Sequence, residues 1–358
     1  MPNFEDFSKR DMSFLLKQQS EWLRGVGPNS DIVVSSRVRL ARNLEGYPFT
    51  NRASESELEA LLARVATTLT EEFSPETTAL FSVNNLTAVD KLFLLERQLI
   101  SQEMIDSACP RAVLFDCDEQ FSIMVNEEDH LRLQAITSGF DLKTAWKRLT
   151  KLDDQLSERL PYAFDEQLGY LTACPSNIGT GLRASVMLHL PALVLSSEVE
   201  RVFRSFQKLN LTVRGIYGEG SAAEGELFQL SNQTSLGRTE EELLDRISEV
   251  VPLVIGYEQK ARAHLLEKDR ENLLDRCYRA MGILQTARTI TCDEAMELLS
   301  SVRLGIATGL IDCYKLDVVS DLLLHIQIAH LEKRAGHPLT QDEENIYRAT
   351  CLREKLVG

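Results

Sequence analysis

The sequence predicts an α+β protein, a mixed region of strands and helices followed by a region of helices alone. Two observations carry that reading. Short β-branched and apolar runs such as Asp31-Ile-Val-Val-Ser-Ser36 and Phe121-Ser-Ile-Met-Val125 alternate with amphipathic helical stretches as far as about residue 245. Beyond residues 245–260 the strand-like runs stop, and Thr291-Cys-Asp-Glu294 and Thr340-Gln-Asp-Glu343 open successive helices. The expected organisation is a lead-in over 1–30, an α+β region over 31–255 and a helical region over 256–358.

Residues 1–24 form a polar lead-in whose Trp22 and Leu23 can dock on a core. The turn Gly25–Ser30 leads into a strand that delivers Arg37 and Arg39 onto one face, with Val38 on the other. Two like charges on one face repel unless solvent or an anion lies between them, so the pair is either a solvated edge or half of an anion site. Arg42 is placed with the same patch. Ser54-Glu-Ser-Glu57 opens a helix, a strand follows near 79–83, then a helix near 90–99. Residues 111–115 and 121–125 read as an antiparallel pair across an acidic turn.

The second of these strands ends in Asn126-Glu127-Glu128-Asp129-His130-Leu131-Arg132. Adjacent carboxylates suit a solvated turn, but beside Arg132 and His130 they also suit a site binding a cation and a polyanion together. Residues 133–160 are expected to form one amphipathic helix, closed by Pro161. Cys174-Pro175 then enters a run of turn-formers (Ser176, Asn177, Gly179, Thr180, Gly181) that ends at Arg183. Backbone N–H groups in such a turn can face an anion, and a cysteine there is either incidental or reactive. A helix is expected over 194–209, a strand over 211–214, a glycine-rich loop over 215–225 and a strand over 227–231. Leu322–Leu324, Ile326 and Ile328 are expected to pack one long helix on several sides, with His325 and His330 as buried core or interface histidines rather than metal ligands.

Composition narrows the function. The chain has 358 residues, 44% hydrophobic and 26% charged, as in ordinary globular proteins. A formal net charge of −15 argues against a general nucleic-acid binder. No apolar run approaches the ~20 residues that span a bilayer, and the N-terminus lacks the layout of a signal peptide, so a cytoplasmic, membrane-free protein is expected. Seven cysteines without a CxxC pair indicate neither a disulfide framework nor a zinc site, and no metal ligands are assigned. There is no P-loop and no dinucleotide fingerprint. Arginines at 37, 39, 132, 183 and 214, carboxylates at 127, 128 and 219, and a turn cysteine together describe a cage for a nucleotide triphosphate.

Those residues carry a resemblance. Ser35-Ser-Arg-Val-Arg39, Asn126–Arg132 and Cys174–Arg183 resemble, in order, the motifs of the ATP:guanidino phosphotransferases, the creatine and arginine kinase (phosphagen kinase) family. Within it the chain is most similar to the branch that phosphorylates arginine in proteins. Ser35 lies near the start of the sequence, so the N-terminal helical domain of the metabolite kinases is expected to be absent and a helical C-terminal region to stand instead. The resemblance implies an antiparallel β-sheet flanked by helices, ATP with Mg²⁺, and transfer of the γ-phosphoryl group to a guanidino nitrogen.

It further implies that Arg37, Arg39, Arg132, Arg183 and Arg214 hold the phosphates. Ser35, Ser36, Val38, Gln98, Ala184, Ser185, Val186, Met187, Gly215, Ile216, Tyr217 and Gly218 are implied around the nucleotide. Glu128 would take the guanidinium proton beside Glu127, with Glu219 (Glu224 in reserve) as the second carboxylate and Cys174 touching the guanidinium. Its implied partners are arginine-bearing proteins, an activator of the McsA type, the Clp protease system and a second copy of the chain. Three departures stand out. A gap-free alignment puts Tyr217 and Ala222 where metabolite kinases have an arginine and a substrate glutamate. Gln98 replaces a histidine near the adenine. Glu344-Asn-Ile-Tyr-Arg348-Ala349 replaces an Arg-Asp-x-x-Arg-Ala motif that binds phosphoarginine in relatives, so that pocket is expected to be weak or absent.

Overall fold

At the centre of the fold is a ten-residue strand, β1 (Val33–Arg42). The structure, a computed structural model, describes residues 12–106, 109–207, 210–215 and 224–357. The other strands of the main sheet are β2 (Thr78–Ser82), β3 (Ala112–Asp116), β4 (Phe121–Val125), β5 (Leu131–Ser138), β8 (Leu182–His189), β9 (Leu211–Gly215) and β10 (Leu227–Asn232). They lie in the order β2-β3-β4-β5-β1-β8-β10-β9, and every neighbouring pair is antiparallel. Two short strands, β6 (Phe164–Asp165) and β7 (Gly169–Tyr170), form a separate hairpin.

Alternation along these strands sorts the two faces. Val38, Leu40, Leu133, Ala135, Leu182 and Ala184 share one face and are essentially fully buried. Against them pack α1 (Glu55–Glu72), α3 (Leu142–Ser157) and the first half of α6 (Glu240–Lys268), through residues such as Leu61, Val65, Leu149, Ile247 and Val254. Burying each leucine is worth roughly 2 kcal/mol. A one-residue slip of β1 would exchange Val38 and Leu40 for Arg37 and Arg39 in this core, so the register is strongly specified.

The opposite face changes character along the strands. It runs Arg132–Gln134–Ile136 on β5, Arg39–Arg37–Ser35 on β1 and Arg183–Ser185–Met187 on β8. At the Ile136–Met187 end it packs on Trp22, Val34 and the C-terminal helices. Those are α7 (Arg270–Thr286), α8 (Cys292–Ala307), α9 (Leu316–His325), α10 (Ile328–Ala335) and α11 (Gln341–Val357). Helix α6 runs unbroken across residues 255–256, and its Arg262 joins Glu258 and Asp31, the latter at 3.0 Å.

Helix starts follow their caps. Ser54 with Glu57 and Thr239 with Glu242 form reciprocal capping boxes, and Thr291 caps Glu294. Thr87 with Asp90 forms another, starting α2 (Ala88–Glu96) two residues before the expected Asp90.

Three expected elements are corrected. Residues 133–138 are strand, and the helix begins only after Asp141, whose side chain accepts from Thr144 N–H. The 194–209 helix is two pieces, α4 (Pro191–Leu195) and α5 (Val199–Gln207), separated at Ser197 with φ 55°. The apolar run at 322–330 is also two helices, because Gln327 is extended (φ −73°, ψ 151°) and ends the turn begun at Ile326.

Candidate active site

Register alone puts the arginines together. Arg39 is cross-strand partner to both Gln134 and Arg183, Arg37 to Ser185, and Gln229 to both Met187 and Arg214. Directly opposed residues in an antiparallel sheet share a face, so Arg37, Arg39, Arg132, Arg183 and Arg214 all reach one cleft of about 650 Å³. Arg37 donates to Gln98 Oε1 at 3.3 Å and to Gln229 Oε1 at 2.9 Å. Arg183 donates to Ser231 Oγ at 3.2 Å. Among the described residues Arg39 Nε is buried with no hydrogen-bond partner.

The electrostatics follow from crowding cations in a recess. Burial, then Arg183 and Arg132, pushes the Arg37 guanidinium down to about 10. Burial, then Arg37, Arg132 and Arg183, pushes Arg39 well down, and Glu127 only partly offsets this. Arg37 still carries its charge at neutral pH. A recess that disfavours its own cations is one in which a polyanion is strongly favoured.

At one end of the cleft the β4–β5 turn bears the carboxylates. Asn126 is left-handed (φ 58°), and its side chain donates to Leu58 and Pro110 carbonyls at 3.0 and 2.8 Å, anchoring the turn. Glu127 is buried, pairs with Arg132 and accepts from Ser101 Oγ. Glu128 is half-buried, 3.7 Å from Arg132 Nη2, and hydrogen-bonds the Cys174 side chain. Burial raises the Glu128 carboxyl above its ordinary range, opposed by Arg132 and reinforced by Asp129 and Glu127. Beyond it opens a second pocket of about 630 Å³, lined by Thr50, Asn51, Glu55, Cys109, Arg111 and Ala173 as well as the two glutamates. The Arg132–Glu127 pair is therefore the wall between a cationic chamber and an acidic one.

Asp129 explains how Cys174 reaches this wall. Its buried carboxylate accepts from Asn43 Nδ2 at 2.6 Å and from Ala173 N–H at 2.7 Å, tying the segment before Cys174 to the carboxylate turn. Cys174 itself precedes a single 3₁₀ turn, Pro175–Asn177, and its Sγ lies 3.1 Å from Ser176 Oγ. Gly181 then has φ 66°, and a Cβ there would lie 2.5 Å from the Ala41 carbonyl oxygen. Only glycine lets β8 start so close to β1.

Not every expected residue points into the cleft. Ser36, Val38, Ala184 and Val186 project to the opposite face, and Ser36 Oγ there bonds Gly139 O and Asp141 N–H. Ser35, Ser185 and Met187 share the arginine face, Gly215 closes β9 at the cleft, and Gln98, with φ 59°, lines it beside Arg37. Glu224 also lines the cleft. Ile216, Tyr217, Gly218, Glu219 and Ala222 lie outside the described residues.

Arg42 does not join the patch. It shares the apolar side with Leu40, pairs with Asp153 at 2.8 Å and stacks 3.6 Å over Tyr170. His130 is also structural, its Nδ1 accepting from Leu44 N–H and its Nε2 donating to Pro48 O. Sequence reasoning does not place Gln229, Gln134 or Ser101 at the site, and it takes Asp129 only as one of the adjacent carboxylates, not as the anchor of the Cys174 segment. The signal for Gln229 was a polar residue at the centre of the apolar strand Leu227–Ser231.

Two family models match the chain: the C-terminal catalytic domain of ATP:guanido phosphotransferases over residues 60–261, and the protein-arginine kinase McsB C-terminal domain over residues 270–358. The chain belongs to the ATP:guanido phosphotransferase family. Among its relatives is a protein-arginine kinase from Symbiobacterium thermophilum, 47% identical over 344 residues that cover 95% of this chain and 97% of the relative. Another, from Brevibacillus brevis, is 44% identical over 96% of this chain and 97% of the relative. Among solved structures, a lombricine kinase shares the fold with a TM-score of 0.59 at 24% identity, covering 72% of this chain and 73% of that one.

Proposed function

We propose that this chain is an ATP-dependent protein arginine kinase, transferring the γ-phosphoryl group of ATP to a guanidino nitrogen of arginine residues in proteins. The observation that carries the reading is the shared wall. Arg132 faces the arginine cleft while pairing with Glu127 and Glu128, which line the acidic pocket. A polyphosphate on one side and a guanidinium on the other would meet there.

The chemistry demands both chambers. A guanidinium with a pKa above ~12 is no nucleophile. Glu128 accepts a proton from the attacking nitrogen as the N–P bond forms and the bond from phosphorus to the ADP oxygen breaks. Glu127 holds Arg132 in place, and Cys174 borders the guanidinium through its bond to Glu128. Arg37, Arg39, Arg132, Arg183 and Arg214 bind the triphosphate and stabilise the charge on the transferring group. Glu219, with Glu224 in reserve, is the proposed second carboxylate.

Among the described residues no cluster of three or more His, Cys, Asp or Glu is placed to hold a metal. A Mg²⁺ ion would fit as a passenger on the phosphates and neutralise charge there, and Glu96, Glu103 and Glu224 are the carboxylates lining that cleft. The same reading carries arginine-bearing protein substrates, an activator of the McsA type, the Clp protease system, a homodimer and a cytoplasmic location. It also holds that the corner at Glu344–Ala349 is a weak phosphoarginine pocket or none. Arg348 is buried there, bonded to the Ile326 and Ile290 carbonyls and to Asn345 Oδ1, with Glu344 at 3.8 Å.

The test is incubation with ATP, Mg²⁺ and either free arginine or an arginine-rich protein, scored as acid-labile, alkali-stable phosphate. Label on protein alone is expected. Label on free arginine alone would make the chain a small-guanidine kinase, and no label with ATP still bound would make it a scaffold.

A further inference from the structure

The acidic pocket has an outer rim that the phosphotransfer chemistry does not use. Thr50, Asn51 and Glu55 line the pocket together with Glu127 and Glu128. Asn51 and Glu55 are exposed, and Thr50 is half-buried. Between them runs a tight turn, in which the Arg52 and Ala53 N–H groups both donate to the Phe49 carbonyl, at 2.8 and 2.9 Å. The rim is stapled to the carboxylate turn at two points. Thr50 Oγ1 donates to the Glu128 carbonyl, and Asn126 Nδ2 donates at 3.0 Å to the carbonyl of Leu58, one turn into α1. Glu55 is therefore held in a fixed place relative to Glu128.

The charges around this pocket are not all committed alike. Glu57 serves the α1 cap, its Oε2 accepting from Ser54 N–H and from Ser54 Oγ, both at 2.7 Å. Arg111, a cation inside the pocket, is buried and donates to the Asn126 carbonyl at 2.7 Å and to the Glu103 carbonyl. Arg132 pairs with Glu127, and an incoming guanidinium would pair with Glu128. That leaves Glu55, exposed at the mouth, to face whatever flanks the guanidinium.

An arginine within a chain brings its neighbours with it. Its side chain spans about 7 Å from Cα to the guanidinium, and the adjacent Cα atoms lie only about 3.8 Å to either side. With the guanidinium at Glu128, the flanking residues must cross the mouth of the same pocket, beside Glu55. Free arginine has no such neighbours. We propose that Glu55 is a specificity-determining residue that favours arginines with a basic neighbour, so that the preferred substrates are arginines in cationic segments of proteins. The proposal rests on the acidic pocket being the seat of the substrate guanidinium.

Three blocked peptides of one length test it, each with a single arginine flanked on both sides by lysine, alanine or glutamate. For each peptide kcat/KM is measured with the full chain and with Glu55→Gln and Glu55→Lys, both variants first checked for a native thermal transition. The wild type is expected to rank lysine over alanine over glutamate. Glu55→Gln should shrink the lysine-to-glutamate ratio about two- to fivefold, the scale of one exposed ion pair, and Glu55→Lys should invert it. General damage to the pocket lowers all three peptides by one factor and leaves their ratio alone. A ratio unchanged in both variants, or a wild type without that ranking, therefore overturns the proposal. Glu128→Gln is the control for the underlying reading, expected to depress all three peptides alike. If it does not, or if the wild type labels none of them, the acidic pocket is not the guanidinium site and the failure lies there.

Discussion

Glu128 occupies a position in which burial and charge act against each other. Burial, Asp129 and Glu127 hold its proton on, while Arg132 and the Cys174 hydrogen bond favour its release. A carboxyl raised above its ordinary range is the better base for a guanidinium, because its affinity for the proton lies nearer to what must be removed. Glu128→Gln keeps the shape and removes the acceptor, so phosphotransfer should fall by about 10²–10⁴-fold, the usual contribution of a general base. Nucleotide affinity should stay within about twofold, since the arginines are untouched. The sign of the pH dependence follows: protonated Glu128 cannot accept, so the wild-type rate falls as pH drops through a value above the normal carboxylate range. A rate-against-pH series with that acid limb missing, or a Gln variant with near-normal turnover, would remove Glu128 from the role.

At the scale of the elements, β8 depends on one glycine more than on any of its side chains. Gly181 is left-handed, and its missing Cβ would meet the Ala41 carbonyl oxygen at 2.5 Å and Arg42 Nη1 at 2.8 Å. Gly46 is left-handed as well (φ 82°) but has nothing within 4 Å. Gly46→Ala should therefore cost only the backbone preference, about 1 kcal/mol. Gly181→Ala adds a backbone clash and should cost roughly 2–4 kcal/mol. Chemical denaturation of the two variants checks this, and equal costs would mean that the β1–β8 approach is not tight. The motifs on β1, β5 and β8 were legible because phosphate chemistry demands arginines and register demands alternation. What was not legible has physical causes. Arg132-Leu-Gln-Ala-Ile alternates as a strand, yet Leu, Gln and Ala are good helix formers and merge with the true helix at Leu142, so β5 reads as its first turns. Arg42 follows Arg37 and Arg39 but falls on an even step from Leu40 and so faces Asp153, which sequence alone does not announce. That Met296, Leu323 and Leu324 come up to the arginine cleft is not legible either, because they stand more than 80 positions beyond Arg214 and their apolar pattern is that of an ordinary core.

Across the whole molecule, an acidic protein of net charge −15 encloses a cationic cleft. The overall charge favours approach of basic, arginine-bearing partners, while the cleft focuses a local field for a polyanion. The two parts of the chain are joined by buried polar contacts, among them the Glu96–His330 junction, whose carboxyl is raised far above its ordinary range. Burial pushes the Glu96 carboxyl up to about 8, with Glu332 adding to the rise and the Ala329 and His330 N–H groups and Arg348 opposing it. Burial, then Arg97 and His325, holds His330 far below its ordinary value, and it stays neutral. In the unfolded chain Glu96 would titrate near 4.3. Between about 4.3 and about 8 the folded protein therefore binds more protons at this site than the unfolded one. Stability must then fall as pH rises through that window and level off above it. Asp116, raised to about 7 by burial, adds a slope of the same sign. Glu96→Gln removes the first slope and leaves the second, so the difference in unfolding free energy between wild type and variant isolates Glu96. That difference should move against the wild type from pH 5 to pH 8 and stay flat above pH 8. Denaturant melts of both proteins at pH 5, 6.5, 8 and 9 measure it, and a difference independent of pH would show that the helices are joined to the sheet without a titrating carboxyl at the joint.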